Sequence, residues 1–423
     1  MKKRWISILT AGALGLGMLT STGMVNAKAD DKVTLKVALW DYSNVSYFKD
    51  IFSKFNEVYP DIEIEPLEFP SDEYNTTVMT QLGGRADFDV IFIKDSPNLS
   101  ALSQQGHLLA LDDYIAEDEE FDASAYKGLV EAQSLDGSVY GLPFRYDNTV
   151  LFYNKDLFDA AGVDYPTDGM TLAEYHELAA KLTSGEGNDK VYGAHNHTWT
   201  TNVTQFARIT DAYNPNDAST FDAVKDCYNE ILAMQDEGVI MDYGAVKSAN
   251  LHYSGVFYNQ QAAMLPIGTW YINMLCENVS DFNWGVCSLP NNGGLKNENS
   301  VGSAVPVTIG AYGKNPDAAW TLIKYVCSSD AAEVLASNGI VPGIASDEVK
   351  AIFDAIPEKY PNAPEGLSKY ISGEEKALLE NPMDPQSKDI ENIMNEAHSA
   401  IMTESVSVDD ALQDAVKRIG DLF

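Results

Sequence analysis

The sequence predicts an α/β protein built as two lobes. Apolar, β-branched runs alternate with helical stretches through the first hundred residues, and the same alternation resumes after residue 149. No low-complexity or flexible spacer separates the two stretches, so they pack as one assembly.

In order along the chain, VTLKVALW (33–40) reads as the first strand. SYFKDIFSKFNEVYP (46–60) repeats aromatics at helical spacing and stops at Pro60, which cannot continue a helix. IEIEPLEF (62–69) is a second strand, SDEYNTTVMTQLGGR (71–85) a helix closed by Gly83 and Gly84, and FDVIFI (88–93) a third strand. That succession is the signature of a parallel sheet covered by helices. Downstream, TVLFYN (149–154) is a strand and TLAEYHELAAKLT (171–183) a helix with Thr171 as its N-cap. FDAVKDCYNEILAMQDEG (221–238) is a helix closed by Gly238. AAMLPI and NWGVCSLP are strands around the helix TWYINMLCEN, and NPDAAWTLIKYVCSS (315–329) is a helix opened at Asn315-Pro316. The C-terminal stretch reads as helices broken by YPNAP and NPMDP.

Composition narrows the partners. The 423 residues are 45 % apolar, and 28 Lys+Arg stand against 63 Asp+Glu for a net charge of −35. Nucleic acid and an anionic membrane surface both demand a basic patch, so neither is expected. Lys2, Lys3 and Arg4 lead into a short apolar run and an A-x-A-like site at Ala27 and Ala29, which describes a secretory signal peptide over 1–29 and a secreted, extracellular or periplasmic protein. A lipid-modified N-terminus needs a cysteine just after that run, and the first is Cys227. Cys276 and Cys287 could form a disulfide, whereas Cys227 and Cys327 sit in helical patterns as packing thiols.

Motifs for chemistry are missing. There is no G-x-S-x-G and no P-loop, and HELAA (176–180) fails H-E-x-x-H at Ala180. No catalytic residue, cofactor or metal is expected. His195 and His197 have an H-x-H spacing, but no cysteine lies near them, and a polar loop carrying Trp199 is the favoured reading.

From GLPFRYDNTVLFYNKDLFDAAGVDYPTD (141–168) onward the chain resembles the extracellular solute-binding proteins of ABC importers, family 1, the group of the maltose- and oligosaccharide-binding proteins. AAMLPIGTW, NWGVCSLPNNGG, the stretch 301–329 and the opening unit 54–93 carry the same resemblance, which covers essentially the whole chain after the signal segment. It implies a periplasmic-binding-protein-like fold with a ligand cleft between two discontinuous lobes, 30–146 with 305–347 and 147–304 with 348–423. The hinge crossings should fall near 144–148, 301–308 and 345–352. It also implies a monomer that binds a carbohydrate, closes on it, and is then recognised by permease subunits in the membrane.

Sugars offer apolar C–H faces and hydroxyl rims, so a site for them needs aromatic planes with carboxylates, amides or Arg. Trp40 and Asp41 follow the first strand, at a cleft rim. Trp199 lies in a polar loop, and Arg145 stands at the first expected crossing. The resemblance adds Trp270 as a stacking plane and Asp95 and Asp147 as polar contacts. Asp95 could instead cap the helix after it, and Arg145 with Asp147 could be a hinge ion pair. Trp320 is expected in a core; Trp284 fits either role. The competing functions are a secreted carbohydrate-active enzyme, with paired carboxylates across the cleft, and a same-fold receptor for a metal, polyamine or other non-sugar solute.

Overall fold

The computed structural model describes residues 32–126, 128–291, 299–371 and 377–423; the expected signal peptide, 1–29, lies outside the described residues. Among the described residues, ten strands follow one another as β1 Val33–Trp40, β2 Ile62–Phe69, β3 Val90–Phe92, β4 Ser134–Leu135, β5 Ser138–Val139, β6 Leu142–Asn154, β7 Met264–Gly268, β8 Trp284–Ser288, β9 Ser300–Ile309 and β10 Ala377–Leu379. β4 and β5 form a small hairpin; the other eight make one continuous sheet.

At one end β2, β1 and β3 are parallel, as the strand–helix alternation predicts. The helices Tyr47–Val58 and Tyr74–Gly83 connect them. β3 then pairs antiparallel with β9, and β9 antiparallel with β6. The far end departs from the all-parallel expectation. β7 and β8 both run antiparallel to β6, one on each side, joined by the helix Tyr271–Asn278. β6 is longer than the predicted TVLFYN strand: its first half, 142–148, pairs with β9, and its second half, 149–154, pairs with β7 and β8. The chain enters the second half of the molecule on a strand already committed to the first, which fixes its direction there.

Alternation along β6 builds two cores at once. Val150 and Phe152 bury in the core shared with β1, β3 and β9, while Leu151 and Tyr153 bury in a second core with the helices Leu172–Leu182, Asp222–Asp236 and Ser387–Met402. This is the two-residue period of a strand covered on both faces. The period also corrects the disulfide expectation. All four cysteines are free. Val286 faces the first core and Cys287 the second, whereas Cys276 packs beside the first. The two sulfurs lie on opposite faces of the sheet.

The central strands approach closely where β6 changes partners. A Cβ at Gly302 would stand 1.9 Å from the Asp147 carbonyl oxygen, and one at Gly343 would stand 2.0 Å from that of Pro143. The second contact belongs to the segment 341–343, which bonds back to β6: Tyr146 N–H donates to the Val341 carbonyl at 3.3 Å and Gly343 N–H to that of Phe144 at 3.1 Å. Residues 345–352, where a third crossing was expected, begin with a loop and enter the helix Asp347–Asp354.

Candidate ligand-binding cleft

A cleft of about 820 Å³ opens beside the mid-point of β6. Trp40, Asp41, Asp95, Arg145, Asp147, Trp199 and Trp270, the seven residues singled out in the sequence, all line it.

Trp40 ends β1 and is only 6 % exposed, its edge against Tyr74 at 4.9 Å between centroids. The Lys94 ammonium lies 5.1 Å from the centre of its ring. Asp41 takes the next position in the left-handed backbone region, φ 55°, turning the chain away from the strand. Asp95 follows β3, and its helix-capping role is realised. Oδ1 accepts from the Asn98 amide N–H at 2.8 Å and from Asn98 Nδ2 at 2.6 Å, while Oδ2 accepts from Asn75 Nδ2 at 3.3 Å. It therefore caps the helix Ser96–Gln104 and forms part of the wall together.

On β6, Arg145 Nε lies 3.0 Å from Asp147 Oδ2, without hydrogen-bond alignment. One guanidinium nitrogen of Arg145 donates to the Tyr47 hydroxyl at 3.2 Å. Thus the ion pair exists, but not as a bidentate fork. Burial pushes the Asp147 carboxyl above its usual range, with the Arg145 charge partly offsetting it. Burial also lifts the Tyr47 phenol to about 12. Asp147 is 2 % exposed, and its Oδ1 has no hydrogen-bond partner.

The opposite wall is aromatic. Gly268 ends β7, and a Cβ there would fall 1.8 Å from the Trp270 ring, so only glycine lets the indole fold back over the strand end. Thr269 fastens this turn to β6: its N–H donates to the Asn148 carbonyl at 2.7 Å and its Oγ1 accepts from the Asn148 N–H at 3.1 Å. Trp270 Nε1 donates to the Tyr253 hydroxyl at 2.9 Å. Trp199, 43 % exposed, lies 6.2 Å from Trp270 and 5.8 Å from Tyr253 between ring centroids. The helix that follows it, Thr201–Arg208, is pinned to β7 by Asn202 Nδ2 donating to the Pro266 carbonyl at 2.9 Å.

His197 packs edge-on against Trp199 at 4.6 Å, and burial holds its imidazole down at about 4 and that of His195 at about 3. Both are neutral at neutral pH. Among the described residues no group of three or more His, Cys, Asp or Glu is placed to hold a metal ion. Trp284 and Trp320 are both buried, which settles the former as core.

Sequence reasoning missed Tyr253, Gln205, Glu380 and Glu391, which also line the cleft. Gln205 is 3 % exposed with Nε2 unpartnered. Tyr253 opens the six-residue helix Tyr253–Tyr258, and Glu380 follows the three-residue β10, elements too short to show periodicity. The Pro-rich NPMDP loop beside Glu380 was the available signal, read only as a break between helices.

The chain matches the family of bacterial extracellular solute-binding proteins over residues 41–333. Among solved structures, a sugar transporter from Rhizobium etli in an open conformation is 34 % identical, with a TM-score of 0.76 over 92 % of this chain and 99 % of that one. An ABC substrate-binding protein from Listeria monocytogenes in complex with cycloalternan gives a TM-score of 0.78 at 22 % identity, over 93 % and 99 % of the two chains, a likeness of fold. A galactooligosaccharide-binding protein of Bacillus subtilis is 26 % identical over 214 residues, 47 % of this chain and 48 % of that protein. Such proteins bind solutes and are not enzymes, so the carbohydrate-active-enzyme alternative falls. Among the described residues no helix is long and apolar enough to cross a membrane. Since the match runs from the cleft rim at Asp41 into the helix Ser329–Ser337, the chain belongs to the bacterial extracellular solute-binding proteins.

Proposed function

We propose that the protein captures an oligosaccharide in this cleft and delivers it to the permease subunits of an ABC importer. The observation that carries the reading is the grouped, partly wet aromatic wall of Trp199, Tyr253 and Trp270 beside buried, unpartnered polar atoms on Asp147 and Gln205. The indole faces of Trp199 and Trp270 stack on sugar C–H faces, with Tyr253 buried behind them as support, and the polar atoms take hydroxyls. Trp40, Asp41, Asp95 and Arg145 complete the site from the other wall and the hinge. The volume suits a small-molecule ligand rather than a macromolecule.

The lobes in this reading are 30–146 with 305–347 and 147–304 with 348–423, turning about β6, β9 and the 341–343 segment. The protein works as an exported monomer with no nucleic-acid partner, kept at the cell envelope by its permease.

A thermal-shift panel of neutral oligosaccharides, with spermidine as the cationic competitor, tests ligand class. At a ligand concentration 100-fold above Kd the expected stabilisation is about 2.7 kcal/mol. Solution scattering with the best ligand should show a smaller radius of gyration at constant helix content, as rigid lobes close on a hinge. Stabilisation by spermidine and by no glycan would overturn the carbohydrate reading, and an unchanged scattering profile with sugar bound would overturn closure.

A further inference from the structure

Besides Asp41, four carboxylates in the cleft lining come from four separate elements. Asp147 lies on β6, Asp95 at the start of the helix Ser96–Gln104, Glu380 just after β10 and Glu391 on the helix Ser387–Met402. Asp95, Glu391 and Asp147 each act electrostatically on Glu380, and Thr201 hydrogen-bonds it. Two of the nearby cations pair with members of this wall, Arg145 and Lys388, while Lys94 and Arg208 hold partners outside it. Arg145 lies on Asp147 and Tyr47, and Lys388 bonds Glu391 at 2.6 Å. Lys94 donates to the Ser71 carbonyl and hydroxyl at 2.7 and 2.8 Å. Arg208 donates from Nε to the Leu379 carbonyl at 2.9 Å and pairs with Asp211 at 3.1 Å. A second, independent observation marks this wall as ligand-facing: Asp147 Oδ1 is buried with no partner, an acceptor aimed at a donor that the protein does not supply.

We infer that this carboxylate wall is a specificity determinant that restricts the cleft to glycans without anionic groups, with Glu380 as its central residue. The inference rests on the carbohydrate reading and deepens it. A sugar hydroxyl can donate to any of these oxygens. A uronate or phosphate brought beside Glu380 meets like charges across a partly dried gap, where repulsion is poorly screened. Exclusion follows from charge, so it should weaken when the wall is protonated. Burial foremost, then Asp95 and Glu391, pushes the Glu380 carboxyl up to about 7, and this places the change within reach of ordinary buffers.

The probes are maltotriose, mannotriose and galactotriose, each with its counterpart oxidised at the primary hydroxyls to uronic acids, titrated calorimetrically into the full chain. For whichever neutral trisaccharide binds, the oxidised form should bind at least tenfold more weakly at pH 7.5, and that ratio should shrink several-fold at pH 5.5. Glu380→Gln should shrink the ratio at pH 7.5 and flatten its pH dependence. Glu333→Gln, on an exposed helix face, should change neither, which separates a local wall from the chain's overall negative charge. Equal affinity for a neutral trisaccharide and its oxidised form would overturn the inference and leave the carbohydrate reading standing. So would a ratio that Glu380→Gln does not move. Binding of none of the neutral probes or of the wider neutral panel would overturn both.

Discussion

Trp270 and Trp320 carry the same side chain but lose their water in different events. Trp320 is buried by folding alone, stacked on Tyr114 at 5.5 Å with Nε1 donating to Asp118 Oδ2 at 3.0 Å. Trp270 keeps part of its indole exposed on the cleft wall, and Gly268 and Thr269 hold it there. Trp270→Ala should therefore weaken sugar binding by roughly 1–3 kcal/mol, the scale of one desolvated aromatic face, measured by calorimetry. Trp320→Ala should lower stability by about 3–5 kcal/mol and leave the affinity of the folded fraction unchanged. The reverse pattern would mean that the turn after β7 only closes a core. The two placements were legible in the sequence because one tryptophan interrupts an apolar helical stripe and the other follows a strand and a Gly-Thr turn. Glu380 was not legible: its significance comes from Asp95 and Asp147, placed beside it by folds of the chain that no local pattern reports.

Elements were readable wherever their own periodicity fixed them. The capping box at Thr171, with Glu174 reaching back to the Thr171 N–H at 2.8 Å, starts its helix where the sequence places it. Strand direction in the second half was not readable, because β7 and β8 look the same whether parallel or antiparallel to β6; the route of β6 through both cores decides it. That route makes the backbone crossing tight. Gly343→Ala would drive a methyl to 2.0 Å from the Pro143 carbonyl oxygen, and rigid backbone on both sides cannot yield cheaply. The expected cost is about 1–3 kcal/mol or more, read by urea denaturation. Gly420→Ala, with nothing within 4 Å of the added methyl, should be neutral or slightly stabilising.

For the whole molecule, buried ionisable groups set the response to pH. Burial holds His195 and His398 at about 3 and His197 at about 4, against an ordinary 6.5. The folded state thus binds fewer protons than the unfolded chain between pH 3 and 6.5, so their contribution is present above 6.5 and is lost as pH falls through that window. Glu380 works in the opposite sense between 4.5 and 7, where its raised value makes the folded state bind more protons. Asp147 and Glu391, also raised by burial, act with Glu380, so these carboxyls offset part of the effect of the three histidines. Unfolding free energy should be about 2 kcal/mol lower at pH 5 than at pH 7 by denaturant titration, and His398→Gln should narrow the difference. A protein as stable at pH 5 as at pH 7 would contradict the buried, neutral histidines.

The threading of β6 and β9 has a consequence for how the polypeptide is made. β3 pairs with β1 early but finds its second sheet neighbour only when β9 exists, Val90 pairing with Ile309, and the helix Pro316–Val326 must follow before the first core is covered. A nascent chain emerging from the ribosome therefore carries an unfinished sheet through most of its synthesis, whatever the strength of its local helices. Pairings so distant in sequence form slowly, because the loop between them has to be closed first. During that delay the polypeptide stays in the unfolded condition that a threading export channel accepts. The same delay exposes apolar strand edges, so holding chaperones rather than final stability should set the yield of this protein.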